Sequence, residues 1–203
     1  MEPRETETIQ GLLFQVAKQN PTALALADSS GAKVNFSEAI TKAVFLSGRL
    51  AQVWKDQKNV GILIPPSVGG ALVNWAALMM GKVPVNLNYT LSQEGIISCI
   101  DQCGLTDVVV SGKLMGRLKL KLPVRVHILE DMATNPRFSE KLRAFFLSKF
   151  SSTEGLLRKL GGADVTARIL LFQPWGLIAG GGRDWRVCKS PVVGTGDRGP
   201  DGV

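Results

Sequence analysis

The sequence predicts an α/β fold: a layered, largely parallel sheet with helices on its faces, followed by an irregular, Gly-rich C-terminal tail. Three observations carry this. Short apolar runs, NVGILIP at 59–65, VPVNLN at 83–88, TDVVVS at 106–111 and VRVHILE at 124–130, recur with helical stretches between them. That alternation builds parallel sheets through crossover helices, right-handed as a rule. Apolar residues make up 45% and charged residues 20% of the 203, the proportions of a folded chain. Beyond VTARILLF at 165–172 the periodicity is lost and glycines accumulate. The division expected is therefore a folded unit over 1–172 and a loosely packed tail over 173–203, because Gly-rich irregular chain cannot repay its ordering entropy.

Taken in order, a first helix is predicted from Glu5 to Lys18, with Leu12, Leu13 and Val16 as its apolar face and Pro21 as its stop. ALALAD and AKVNF, joined by the turn residues SSG, read as a β-hairpin. Asn35 with Glu38 has the spacing of a helix cap, followed by an apolar stripe through Ile40, Val44, Leu46, Leu50 and Val53. Pro65 and Pro66 end the next strand, and Ser67 caps the apolar helix SVGGALVNWAALMMG, which closes at Gly81.

After VPVNLN, the side chains of Asn86, Asn88 and Tyr89 are expected to hold the strand-to-helix turn. Thr90 and Gln93 form a candidate capping pair for a helix through Ile96, Ile97 and Ile100 to Gly104. GKLMGRLKLKLP reads as a short connection to the strand VRVHILE. Between Ser139 and Leu160 two short helices are expected, with Ser151 and Glu154 as a capping box and Gly161 and Gly162 as the close. Leu142, Phe145, Phe146 and Phe150 gather on one side there, amid Lys141, Arg143, Lys149, Arg158 and Lys159. Such a basic amphipathic segment covers the core of its own domain, lies on an anionic membrane, or meets a partner.

The formal net charge of +7 favours phosphates, anionic lipid or acidic partners as neighbours. Nucleic acid is not among the partners expected, since no reader helix or aromatic interleaving accompanies the charge. The acidic, polar start MEPRETETIQ resembles neither a secretory leader nor a transit peptide. No run reaches the roughly 18–20 apolar residues of a membrane span. A cytoplasmic location is expected, and peripheral membrane contact through 139–160 is one of the readings open to that basic segment. Cys99, Cys103 and Cys188 lack metal spacing and read as inert thiols, and His127 has no evident second ligand.

The stretches VNFSEAITKAVFLSGRLA, NVGILIPPSVGGALVNWAALMMGKVPVNLNYTLSQEGI, CGLTDVVVSGKLM and VRVHILEDM resemble the amino-terminal part of adenylate-forming (AMP-binding) enzymes, in that order and over about residues 20–172. GKVPVNLNYT, HILED and KLRAFFLSKF look most like the synthetase domain of acyl-ACP synthetase/2-acylglycerophosphoethanolamine acyltransferase proteins. The resemblance implies a parent that uses ATP and Mg²⁺ to activate a fatty acid as acyl-AMP. Transfer to acyl carrier protein or CoA as a thioester would follow, and then acylation of a lysophospholipid.

In that family the strand equivalent to TARILLF runs into a Ser/Thr/Gly-rich loop ending in Pro-Lys-Gly, which wraps the triphosphate. Here QPWGLIAGGGRDWRV follows instead. GGGR offers backbone amides but lacks Walker spacing, and TGDRGPDG resembles the family's Thr-Gly-Asp ribose element without the strands that precede it. Catalysis here rests on positioning and on neutralising phosphate charge, so missing parts mean missing catalysis. No catalytic, cofactor-binding or metal residue is assigned within the chain, and no cofactor is expected to bind it. The change after Phe172 has the pattern of a shifted reading frame, an internal deletion or a truncated gene. The competing reading is a non-catalytic basic module that binds anionic membrane or acyl carrier protein.

Overall fold

Strands form where the apolar runs stand. The computed structural model describes residues 8–162 and, beyond them, the backbone of three short strands. The order is α1 (Ile9–Gln19), β1 (Leu24–Ala27), β2 (Lys33–Asn35), α2 (Phe36–Val53), β3 (Asn59–Leu63), α3 (Val68–Met79), β4 (Val83–Asn86), α4 (Gln93–Gln102) and β5 (Asp107–Val110). There follow α5 (Gly112–Leu118), β6 (Arg125–Ile128), α6 (Leu129–Ala133), α7 (Phe138–Phe150), α8 (Thr153–Leu160), β7 (Ile169–Gln173), β8 (Gly176–Gly180) and β9 (Arg186–Cys188).

The main sheet runs β6-β5-β3-β4-β7-β8-β9, parallel from β6 through β7 and antiparallel over the last two strands, and β1 and β2 form a separate antiparallel pair. Pro84 stands in β4, an inner strand, where a missing N–H is normally excluded. It is tolerated because the Val83 amide donates to the Lys58 carbonyl just before β3 and the Leu87 amide to that of Ile62, so the position of Pro84 faces β7, and pairing with β7 begins only at Val85.

Alternation along each strand divides the apolar residues between two cores. Val60, Ile62 and Val109 join α1, α2, α3, α7 and α8 on one face, while Leu63, Val85, Val108 and Val110 join α4 and α5 on the other. α3 is apolar nearly all round, as a helix covered on both sides must be, and Val73, Ala76, Ala77 and Met79 are fully buried. Ser67 and Asn35 cap α3 and α2 as predicted, accepting the amides of Gly70 and Glu38. No helix among the described residues is long and apolar enough to cross a membrane.

Several local expectations are corrected. α1 begins at Ile9, behind Thr8, whose hydroxyl accepts the Gly11 amide; Glu5 lies outside the described residues. Its buried side is Gln10, Phe14 and Ala17, whereas Leu12 and Val16 face outward, because Phe14 is the residue that reaches the core shared with α2. Ser92, not Thr90, caps α4: the Thr90 amide and hydroxyl both donate to Asn88 Oδ1 and so belong to the preceding turn. Ser152, not Ser151, caps α8, since Ser151 ends α7. GKLMGRLKLKLP holds a helix, α5, with Leu114 buried in the second core. Within the expected irregular tail, 176–180 and 186–188 are strands, because β8 pairs back on β7 and β9 on β8. The GGGR and TGDRGPDG readings fall mainly or wholly outside the described residues.

Candidate functional site

In open α/β sheets, ligands bind beyond the carboxyl ends of strands, where the chain leaves neighbouring strands toward opposite faces. Here that point flanks β3. The chain leaves β3 through α3 on one face and leaves β4 through α4 on the other, reaching β5 on the far side of β3. The rim of the crevice is made by Pro65–Ser67, Asn86–Asn88, Ser111 and the start of α6.

The polar groups of this rim are bonded to one another. The α3 amino terminus, the natural place for an anion, is occupied from within: Asp28 Oδ2 accepts the Val68 amide at 2.9 Å and Ser67 Oγ accepts the Gly70 amide at 3.1 Å. The Ser30 hydroxyl and then the Val68 amide hold the Asp28 carboxyl below its ordinary range. Asn74 and Asn86 exchange two amide bonds, at 3.0 and 2.8 Å, tying α3 to the end of β4. Asn88 bridges its own turn, and Tyr89 packs on the second core. Glu130 accepts from the Ser111 hydroxyl at 3.0 Å and the Gly112 amide at 2.9 Å. Burial pushes its carboxyl up, but the Gly112 amide and the other donors prevail and leave it below its usual value. These bonds stiffen the rim, and the Val68 and Gly70 amides at the start of α3 already have acceptors from within the chain. Among the described residues no group of three or more His, Cys, Asp or Glu could hold a metal ion.

Among the described residues, the most connected acid lies at the opposite edge. Asp107, 1% exposed at the start of β5, accepts from Arg125 Nε and Nη2 at 2.8 and 2.6 Å, and from Gln57 Nε2 at 3.0 Å. The Thr106 hydroxyl donates at 2.8 Å, and His127 Nε2 stands 2.7 Å from Oδ1. The Arg125 guanidinium holds this carboxyl far below the usual range, against the opposing effect of burial. His127 thus has a carboxylate partner, and the cluster ties β5, β6 and the connection between α2 and β3 together. An open cleft of about 680 Å³ between β6, α2 and α6 is crossed by Arg49. That side chain donates to Glu140 at 3.1 and 2.8 Å and to the carbonyls of Met132, Thr134 and Asn135. The sequence pattern shows neither cluster, since, Thr106 apart, the partners stand 18–91 positions away.

No protein-family model matches the chain. Its structure is similar to that of the FmoA3 nonribosomal peptide synthetase in an α-methyl-L-serine-AMP bound form, at TM-score 0.63 and 15% identity, covering 89% of this chain and 18% of that one. It is also similar to the Klebsiella oxytoca NpsA N-terminal subdomain in complex with 3-hydroxybenzoyl-AMSN, at TM-score 0.57 and 14% identity over 66% and 34% of the two chains. Bacillus subtilis O-succinylbenzoate coenzyme A synthetase in complex with AMP gives TM-score 0.52 and 18% identity over 61% and 32%. The chain has the fold of the amino-terminal subdomain of adenylate-forming enzymes. At these identities the likeness is one of fold, and the chain spans about a third or less of each of these relatives. Within that fold the rim described above is the crevice side of the sheet, and the Asp107 cluster braces the edge away from it.

Proposed function

We propose that the chain is the amino-terminal part of an ATP- and Mg²⁺-dependent acid–thiol ligase, which makes an acyl adenylate and then an acyl thioester, and that these 203 residues alone catalyse neither step. The observation that carries the reading is the place of β7. It pairs in parallel with β4, Leu171 opposite Asn86, so the chain leaving Phe172 does so at the crevice rim, where a triphosphate loop would have to start. Instead of a hydroxyl-rich loop, β8 pairs back on β7, with Gln173 opposite Gly176. Residues 1–172 are on this reading a partial AMP-binding domain, and 173–203 stand outside the family pattern through a frame shift, a deletion or a truncation.

The acyl substrate is proposed to be a fatty acid, the acceptor acyl carrier protein or CoA, and the eventual product an acylated lysophospholipid. GKVPVNLNYT, HILED and KLRAFFLSKF support this narrower assignment by resemblance. A peripheral position at the inner membrane face, with contact through 139–160, belongs to the same reading. The test is ATP–pyrophosphate exchange with long-chain fatty acids, on this chain and on a version completed with the loop and later elements. Exchange by the completed version alone is expected; exchange by the short chain would overturn its inactivity. Translating the coding DNA in the other frames tests the frame shift, which predicts a Ser/Thr/Gly-rich Pro-Lys-Gly segment there.

A further inference from the structure

α7 presents its large apolar residues to solvent. Ala144 is buried and Leu147 half-buried against the core, but Phe138 is 78% exposed, Leu142 42%, Phe145 46%, Phe146 50% and Phe150 73%. At about 100° per residue these five share one arc of roughly 140°. Their rings form a strip, with Phe145 edge-on to Phe146 at 6.0 Å and Phe146 against Phe150 at 5.5 Å. Lys141, Lys149 and Arg143 stand exposed within or beside that arc. The one acid of the helix, Glu140, is on the other side and is held by Arg49 at 2.8 Å. The outward face is therefore apolar and cationic, without a carboxylate.

The helix cannot roll to hide it. Arg49 grips Glu140 and the carbonyls just before α7, and Thr41 and Ser148 share a hydrogen bond at 2.9 Å. At the far end Lys18 donates to the Ser151 carbonyl at 2.8 Å. Turning the phenylalanines inward would break these bonds and expose Ala144 and Leu147. An apolar strip fixed outward on a surface helix marks a contact face.

We propose that α7 docks this face on an anionic lipid bilayer. Phe138, Phe145, Phe146 and Phe150 enter the boundary between headgroups and acyl chains, and Lys141, Arg143 and Lys149 lie among the lipid phosphates. A folded acidic partner would have to supply a groove for a ridge about 18 Å long, whose two ends, Phe138 and Phe150, protrude most. A bilayer receives such a ridge without any preformed shape, and long basic side chains at its flanks reach back to the headgroups. The charge of +7 acts in the same direction. The inference deepens the membrane part of the reading above, and its test uses no ligase activity, so either can fail without the other.

The experiment is co-sedimentation of the full chain with vesicles of phosphatidylglycerol and phosphatidylcholine in equal parts, and with vesicles of phosphatidylcholine alone. Binding to the anionic vesicles is expected, weakening as NaCl rises from about 0.1 M to about 1 M and the screening length shrinks from roughly 10 to 3 Å. The pair Phe145→Ser and Phe146→Ser should reduce partitioning by about tenfold or more, and Lys141→Gln with Lys149→Gln by a similar factor. These side chains are exposed, so unchanged circular dichroism and melting temperature certify both variants as folded. Equal binding to neutral vesicles, or anionic binding that survives the Phe pair, would overturn the proposal. So would failure to bind any vesicle while the same face captures an acyl carrier protein or a second copy of the chain in sedimentation velocity.

Discussion

Asp107 and Glu140 show what single residues do in this chain. Asp107 is buried with donors on every side, so Asp107→Ala removes the acceptor that Arg125, Gln57 and Thr106 share. Arg125 is itself 72% exposed and can return to water, which limits the loss to about 2–3 kcal/mol. Urea unfolding measures it; a change under half a kcal/mol would mean that the cluster is ornamental to stability. Glu140 titrates differently from a free glutamate. Arg49, and then the Arg137 amide, bring its carboxyl down from 4.5 to about 2. A carboxyl lowered in the folded state stabilises fully above its unfolded value, and that contribution disappears as pH falls through the folded value. The melting temperature of Glu140→Gln should therefore lie below that of the parent at pH 7, with the gap closing between about pH 4.5 and about pH 2. A gap independent of pH would show that the pair adds nothing. The sequence displayed both acids but not their partners, since Asp107 reads as one more residue of TDVVVS.

At the scale of elements, strands and helices were legible because apolar spacing imposes them, whereas their exact ends depended on which of two neighbouring hydroxyls was already engaged. Ser92 prevailed over Thr90 because the Asn88 turn holds Thr90, and no spacing rule reveals that. α7 shows the larger gap between pattern and outcome. Its phenylalanines look like a core-facing stripe, yet Ala144 and Leu147 take the inner side, because a small residue lets the helix approach α2 while Arg49 holds Glu140. The close of α8 tests this kind of packing. Gly161 adopts φ +91°, and a Cβ on Gly162 would run into the backbone carbonyl of Met79 at the end of α3. The Gly162 carbonyl also accepts from Gln10 Nε2 at 3.1 Å, so moving it disturbs α1 as well. Gly162→Ala should cost about 1–3 kcal/mol by chemical denaturation, whereas Gly116→Ala, inside α5 where an added Cβ meets nothing within 4 Å, should stabilise by about 0.5–1 kcal/mol. Equal effects at the two sites would contradict the close approach of α8 and α3.

For the molecule as a whole, cohesion is greatest along β3 and β5, where Val60, Ile62, Leu63, Val108, Val109 and Val110 are at most 1% exposed and helices cover both faces. Their amides should exchange with solvent most slowly, near the global unfolding limit, and those of the edge strand β6 should exchange faster, as hydrogen-exchange mass spectrometry can resolve. Protection of β6 equal to that of β3 would mean that the sheet has no weaker edge. Composition and the recurrence of apolar runs determined by themselves that the chain is α/β and which runs are strands. Those are properties of consecutive residues, set by spacing and local sterics. Tertiary structure alone decided that Asp28 fills the α3 amino terminus, that Asp107 gathers Arg125 and His127, and that α7 turns its phenylalanines to solvent. Each of these is a choice among partners distant along the chain, made by the packing of helices on a sheet whose strand order no local pattern encodes.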